Sequence, residues 1–188
     1  MIVSDHERNC VFQQSGPEDW GSYPGSSAPV SPTLVLMGFI GLCLLDGIAL
    51  NGIIGGSMTT DAVRRWYQTL QAPAGTPPDW VFAPVSTMLY VMIGIAGWLV
   101  WRRLGAAPAL RLWGWQLAAN ALWAPAFFGL NRPALAMGVM VVVLFLVAVT
   151  IAAFRRKHRT AALLMAPYGA WCLYVAYLNA GFLLLNWI

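Results

Sequence analysis

Charge is missing from long stretches of this sequence, and its absence decides what the chain can fold into. No charged side chain occurs from Trp80 to Trp101, from Leu112 to Asn131, from Pro133 to Phe154, or from Thr160 to Ile188. Between Trp20 and Thr60 the sole charge is Asp46. A helix needs roughly 20 mainly apolar residues to cross the hydrocarbon core of a bilayer, and each stretch supplies them. In lipid, backbone groups must find partners within the protein, so a spanning segment is a helix or a strand of a closed barrel. Barrel strands alternate in polarity, and runs such as Met140–Val149 do not. The expectation is an all-α integral membrane protein, a bundle of five transmembrane helices spanning about 33–56, 80–101, 112–130, 134–154 and 161–187. Overall, 10% of the residues are charged, against about a quarter in soluble domains.

Residues 1–32 differ from the domain that follows at 33–188: they hold Asp5, Glu7, Glu18, Asp19 and a Pro/Gly/Ser-rich run from Pro24 to Pro32. With no apolar core they do not form a signal peptide, and they are too acidic for a typical transit peptide; they read as a disordered tail. Cys10, Cys43 and Cys172 are too far apart for a disulfide framework or a metal-ligand pattern. The basic residues divide unevenly between the two sides of the bundle. Eight (Arg8, Arg102, Arg103, Arg111, Arg155, Arg156, Lys157 and Arg159) fall in the tail and the second and fourth connections, against three (Arg64, Arg65 and Arg132) in the first and third. The positive-inside rule then puts the N-terminus in the cytoplasm. The net charge of +4 therefore reports topology, and no nucleic-acid partner is needed to explain it.

The first connection, about 57–79, is the longest. Thr59-Thr-Asp61 offers an N-cap to a short helix with Trp66 and Leu70 on one face. The run from Ala72 to Pro78 then stops the helix and stiffens the chain. Such a segment is either a lid or an interfacial anchor. Of ten tryptophans, Trp80, Trp98, Trp101, Trp113, Trp115 and Trp187 lie at span ends, where indole suits the headgroup region. Trp123 and Trp171 lie well inside their spans. Gln116, Asn120, Trp123 and Phe127 share one helix face of the third span. Pro167, Trp171, Tyr174 and Leu178 repeat the spacing in the fifth, with Asn179 adjoining. Two such stripes face to face make an aromatic pocket with a few orienting amides, or else an interhelical packing seam held by those amides. Asp46, the one acid inside a span, is a candidate proton or cation site, and a transporter built on it is one alternative function. No catalytic constellation and no metal-ligand set is present.

The ordered motifs resemble the translocator protein family, also called the tryptophan-rich sensory protein or peripheral benzodiazepine receptor family. They are Trp66-Tyr-xx-Leu70, Pro73, Pro77-Pro78-x-Trp80-Val-Phe82-Ala83-Pro84-Val85-x-Thr87-xx-Tyr90, Gln116-xxx-Asn120-xx-Trp123-xxx-Phe127-Phe-Gly129, and Pro167-Tyr-xx-Trp171-xxxxxx-Leu178-Asn179. The resemblance covers about residues 33–188. It implies a five-helix fold that binds protoporphyrin IX or a haem-like tetrapyrrole as ligand, with no cofactor required, and that is often a homodimer. Such proteins act as sensor, carrier or scavenger in bacterial membranes or the mitochondrial outer membrane. Family wall positions fall on Phe82, Ala83, Val85, Asn120, Trp123, Trp171, Tyr174 and Leu178; Gln116, Phe127 and Asn179 join them from the stripes above. Trp66, Pro77, Pro78 and Trp80 belong to the covering loop. Gly75 and Ser86 stand where the family carries tryptophans. This argues against the light-dependent porphyrin breakdown associated with some bacterial members, the alternative enzymatic reading. The end of the fifth span lacks the family's sterol-associated Tyr and basic residue.

Overall fold

Because lipid is as apolar as a leucine side chain, helices in a membrane associate through shape and a few polar contacts. The computed structural model of the protein is organised accordingly. It describes residues 31–59 and 61–186, with the side chains of 48–64 and of Asp79 outside the description. Residues 1–30 of the expected tail and the side chains of the Thr59–Asp61 cap therefore fall outside the description, and the helix already begins at Pro32. The elements are α1 (Pro32–Thr59), α2 (Asp61–Thr69), a 3-10 turn (Asp79–Val81), α3 (Phe82–Leu104), α4 (Pro108–Ala121), a π-turn (Pro125–Gly129), α5 (Pro133–Lys157) and α6 (Arg159–Asn186). No strand occurs among the described residues.

The chain is thus an all-α membrane bundle. α1, α3, α5 and α6 have 28, 23, 25 and 28 residues. At 1.5 Å per residue each exceeds the ~30 Å of a hydrocarbon core. α3, α5 and α6 are apolar enough throughout to cross it. The remaining crossing is composite: α4 ends at Ala121 and the chain continues through the π-turn to Gly129. The spans agree with those read from the sequence to within a few residues, except that the third starts at Pro108, four residues earlier than expected. Proline at the first turn explains that start, since its missing N–H and fixed φ suit the position.

The helices pack in the spatial order α1, α3, α6, α5, α4, with α4 and the π-turn returning to α1. The α1–α3 seam depends on two glycines that let the backbones touch. A Cβ on Gly94 would lie 2.8 Å from the Ile40 Cα, and one on Gly47 would lie 2.6 Å from the Tyr90 ring. Trp113 overturns one expectation. It is not a headgroup anchor but is 5% exposed, donates from Nε1 to the Ile93 carbonyl at 3.2 Å, and packs against Phe39 with ring centroids 5.2 Å apart. An indole near a span end serves as readily as a helix-to-helix wedge when a carbonyl lies within reach. Trp80 and Trp115 remain 73% and 67% exposed.

Both termini of the crossings sort by charge. Arg102 and Arg103 close α3, and Arg155, Arg156 and Lys157 close α5. Leu99, Arg102, Arg103 and His158 border one shallow hollow, so these helix ends meet. Trp98 Nε1 donates to the Pro32 carbonyl at 3.1 Å, which brings the start of α1 to the same end. The α2 segment and the proline-rich loop lie at the other end.

Gly94→Val should lower the detergent melting temperature, at a cost of about 1–3 kcal/mol for the overpacked seam. Gly138→Ala, where an added Cβ meets nothing within 4 Å, should leave it unchanged. Thermal unfolding followed by circular dichroism separates the two.

Candidate functional site

At the end away from the Arg102, Arg103 and Arg155–Lys157 cluster, α3, α4, the π-turn and α6 part to enclose a cavity of about 470 Å³. That lies within the range of ~300–1,000 Å³ typical of small-molecule sites. The π-turn shapes one wall. Pro125 has no N–H to continue an α-helical ladder. The chain instead widens, with the Leu130 N–H donating to the Pro125 carbonyl at 2.9 Å, and stops at Asn131, whose φ is +51°. Asparagine tolerates that left-handed position better than most residues. The extra residue in the turn rotates the side chains within it, so Phe127 and Phe128 both line the cavity beside Trp123. Trp123 stacks on Phe127 at 5.5 Å and 26°, and Phe127 meets Phe128 edge-on at 4.8 Å.

The opposite wall comes from α3 and α6. Phe82 meets Trp171 edge-on at 5.7 Å, and Trp171 leans on Tyr174 at 5.4 Å. Of the residues singled out by sequence, Trp80, Phe82, Ala83, Asn120, Trp123, Phe127, Trp171, Leu178 and Asn179 line the cavity. Val85 does not; it packs half-buried against the core. Gln116 lies one helical turn before Asn120 on α4 and is fully buried in the core, its amide without a hydrogen-bond partner among the described residues. Trp66 is second to its neighbour: it braces Phe127 from outside at 6.0 Å, while Tyr67 lines the cavity. Pro77 and Pro78 lie outside the lining and lead into the 3-10 turn that carries Trp80.

The site residues named from the sequence left out Tyr67, Ser86, Leu89, Tyr90, Phe128, Met140, Tyr168, Cys172, Val175 and Phe182, which complete the lining. Tyr168 and Cys172 were within its reach, since they stand one residue beyond Pro167 and Trp171 and so lie on the adjoining strip of α6. Met140 had no signal, because α5 is apolar all round. Cys172, like Cys43, is a buried free thiol. Ser86 adds open space where a larger side chain would fill the wall. Asn179 is 1% exposed. Turned so that Nδ2 donates to the Pro133 carbonyl at 3.1 Å and Oδ1 accepts from the Met137 N–H at 3.0 Å, it ties α6 to the first turn of α5.

The covering loop is strapped down along α6. The Asn186 side chain accepts from the Gln71 N–H at 2.7 Å and donates to the Gln71 carbonyl at 3.1 Å. The Tyr177 hydroxyl donates to the Ala74 carbonyl at 3.0 Å, and that of Tyr174 to the Gly75 carbonyl at 2.7 Å. Tyr174 thus serves as a strap and not as a cavity wall. Gly75 has φ of +85°, a conformation glycine takes freely and tryptophan would take only under strain. The loop here is a tight turn closed by Thr76, whose hydroxyl donates to the Pro73 carbonyl at 2.7 Å. Pro73 is buried against Gly181, where any Cβ would overlap its ring.

Truncating the strap with Asn186→Ala should speed amide hydrogen exchange at Gln71 and proteolysis within 71–78 by several-fold, as expected for the loss of about 1 kcal/mol of net hydrogen bonding. Exchange in mid-α5 should not change.

Residues 39–185 match the TspO/MBR family. The chain is 35% identical over 151 residues to the tryptophan-rich protein TspO of Chlorobaculum tepidum, covering 78% of this chain and 92% of that protein. It is 38% identical over 136 residues to the tryptophan-rich sensory protein of Cereibacter sphaeroides (71% and 86% covered). It is 34% identical over 145 residues to the translocator protein of Bos taurus (74% and 85%). With the family's motifs distributed between the two walls of one cavity and its covering loop, the chain belongs to the TspO/MBR family of membrane proteins.

Proposed function

We propose that the chain binds a porphyrin-like tetrapyrrole, or a similarly flat lipophilic ligand, inside the membrane, and serves as a sensor, carrier or scavenger for it. The observation that carries this reading is the aromatic cavity of about 470 Å³ beneath a strapped loop. Phe82 and Trp171 on one side and Trp123 and Phe127 on the other offer broad ring faces and edges to a macrocycle. Trp123 Nε1, buried without a partner among the described residues, offers a donor to a ligand acceptor. The names of the relatives, sensory and translocator proteins, support binding or passage and not turnover. With the arginine-rich end in the cytoplasm, the N-terminus lies inside and the strapped mouth faces the other side of the membrane. A dimer of such bundles remains part of this proposal.

In a dark titration of the detergent-purified protein with protoporphyrin IX, tryptophan quenching should saturate. Trp171→Leu should weaken binding about 5–10-fold for the lost ring contact while leaving helical content unchanged. Unaltered affinity in that variant would remove the site. Under illumination, the porphyrin absorption band should fade no faster with protein than in detergent alone. Faster loss would make the protein a photochemical catalyst.

A further inference from the structure

An ionisable side chain inside a membrane is costly and persists where it has a partner and a use. Asp46 on α1 has two partners, and both line the cavity. Asn120 Nδ2 donates to Asp46 Oδ2 at 3.2 Å and to the Tyr90 hydroxyl oxygen at 2.6 Å. Through Asn120 the Tyr90 hydroxyl is brought beside Asp46. Gly47 makes this meeting feasible, since α1 lies so close to the Tyr90 ring that a Cβ at 47 would stand 2.6 Å from it. Among the described residues no cation accompanies the carboxylate.

The bonds decide the polarity of this end of the cavity. A carboxylate only accepts, so Asp46 obliges the Asn120 amide to present its nitrogen. An amide nitrogen has two protons, and Asn120 commits one to Asp46 and one to Tyr90. With its lone pair already taking an Asn120 proton, the Tyr90 hydroxyl has the neighbouring Asp46 carboxylate as the acceptor for its single proton. Every donor of the trio is therefore spent within it. What it has left to offer the cavity is an acceptor, the Asn120 carbonyl oxygen, with the Asp46 carboxylate behind it. The two arginines of the third connection and α2, Arg132 and Arg65, are exposed and lie at the loop end.

We propose that Asp46, through Asn120 and Tyr90, makes the inner end of the cavity an acceptor subsite that takes the N–H or protonated amine of a lipophilic ligand and refuses a carboxylate. This rests on the cavity being the ligand site, and it deepens that reading by specifying which end of a ligand enters first. A tetrapyrrole would enter with its carboxylates trailing at the mouth, near Arg65 and Arg132. Asp46 is a positioning and specificity residue, acting on the ligand through the amide whose orientation it fixes.

Three probes with one aromatic body test this: pyrenemethylamine, pyrenemethanol and pyrenecarboxylic acid. Their binding to the detergent-purified full chain is measured by equilibrium dialysis at neutral pH, with detergent alone as the partition control. The wild-type protein should prefer the amine over the acid by roughly tenfold or more, as for a charge-assisted hydrogen bond out of water. Asp46→Asn should abolish that preference in a variant whose far-UV circular dichroism matches the wild type. Asp46→Ser, which cannot mimic the carboxylate's shape, should do the same. Wild-type ranking needs no variant, so an acid that binds as tightly as the amine overturns the subsite even if both variants unfold. Preference retained in a folded variant also overturns it, while leaving the cavity as the ligand site. If none of the three probes binds, the cavity reading itself fails and the subsite with it.

Discussion

The α1–α3 seam holds the rest of the structure in place. Inside a bilayer there is no hydrophobic gain from bringing helices together, so contact area has to come from close backbone approach. Gly94 admits the Ile40 backbone, and Gly47 admits the Tyr90 ring. Once α1 is this close, Asp46 can reach Asn120 on α4, and a polar cluster links three helices at the depth where unpaired polar groups are most expensive. On the other side of the bundle, Asn179 plays the corresponding part between α6 and α5.

The cavity follows from what those contacts leave unfilled. Where α4 gives way to the π-turn, the bundle loses a regular helical wall and gains three aromatic side chains pointing inward. Large rings in edge and stacked contact cannot close the space completely, and Ser86 and Ala83 on α3 do not fill it. The result is a chamber that is apolar on its flanks and polar at its inner end. The loop above it is held by hydrogen bonds from α6 side chains to loop carbonyls, with the one loop N–H of Gln71 bonded to Asn186. These bonds are individually worth about 1 kcal/mol, so the cover can open without unfolding the bundle beneath it.

The cover bends most sharply at Gly75. The backbone turns through a positive φ at that position, which glycine takes without strain. The strap from Tyr174 to the Gly75 carbonyl holds that turn over the mouth of the cavity.

Much of this was legible along the chain. Charge-free runs longer than a bilayer is thick leave few choices to a polypeptide, since the cost of unpaired backbone in lipid selects helices whatever the side chains are. The spacing of Asn120, Trp123 and Phe127, and of Trp171 and Leu178, marked two walls because a helix repeats its faces at fixed intervals. Three matters belonged to the tertiary structure alone. Gln116 shares the stripe but falls below the cavity floor, because a face pattern gives direction and not depth. Phe128 joins the wall only because the π-turn shifts the helical phase, an effect of Pro125 that periodicity does not encode. Asp46 was visible as an anomaly, but its meaning depended on which residues of other helices came within 3.2 Å of it. The sequence by itself determined that this chain crosses the membrane as helices, since that outcome depends on local composition. Only the tertiary structure decided which side chains share a chamber and which donors are spent, since hydrogen bonds between helices depend on distances that no single segment contains.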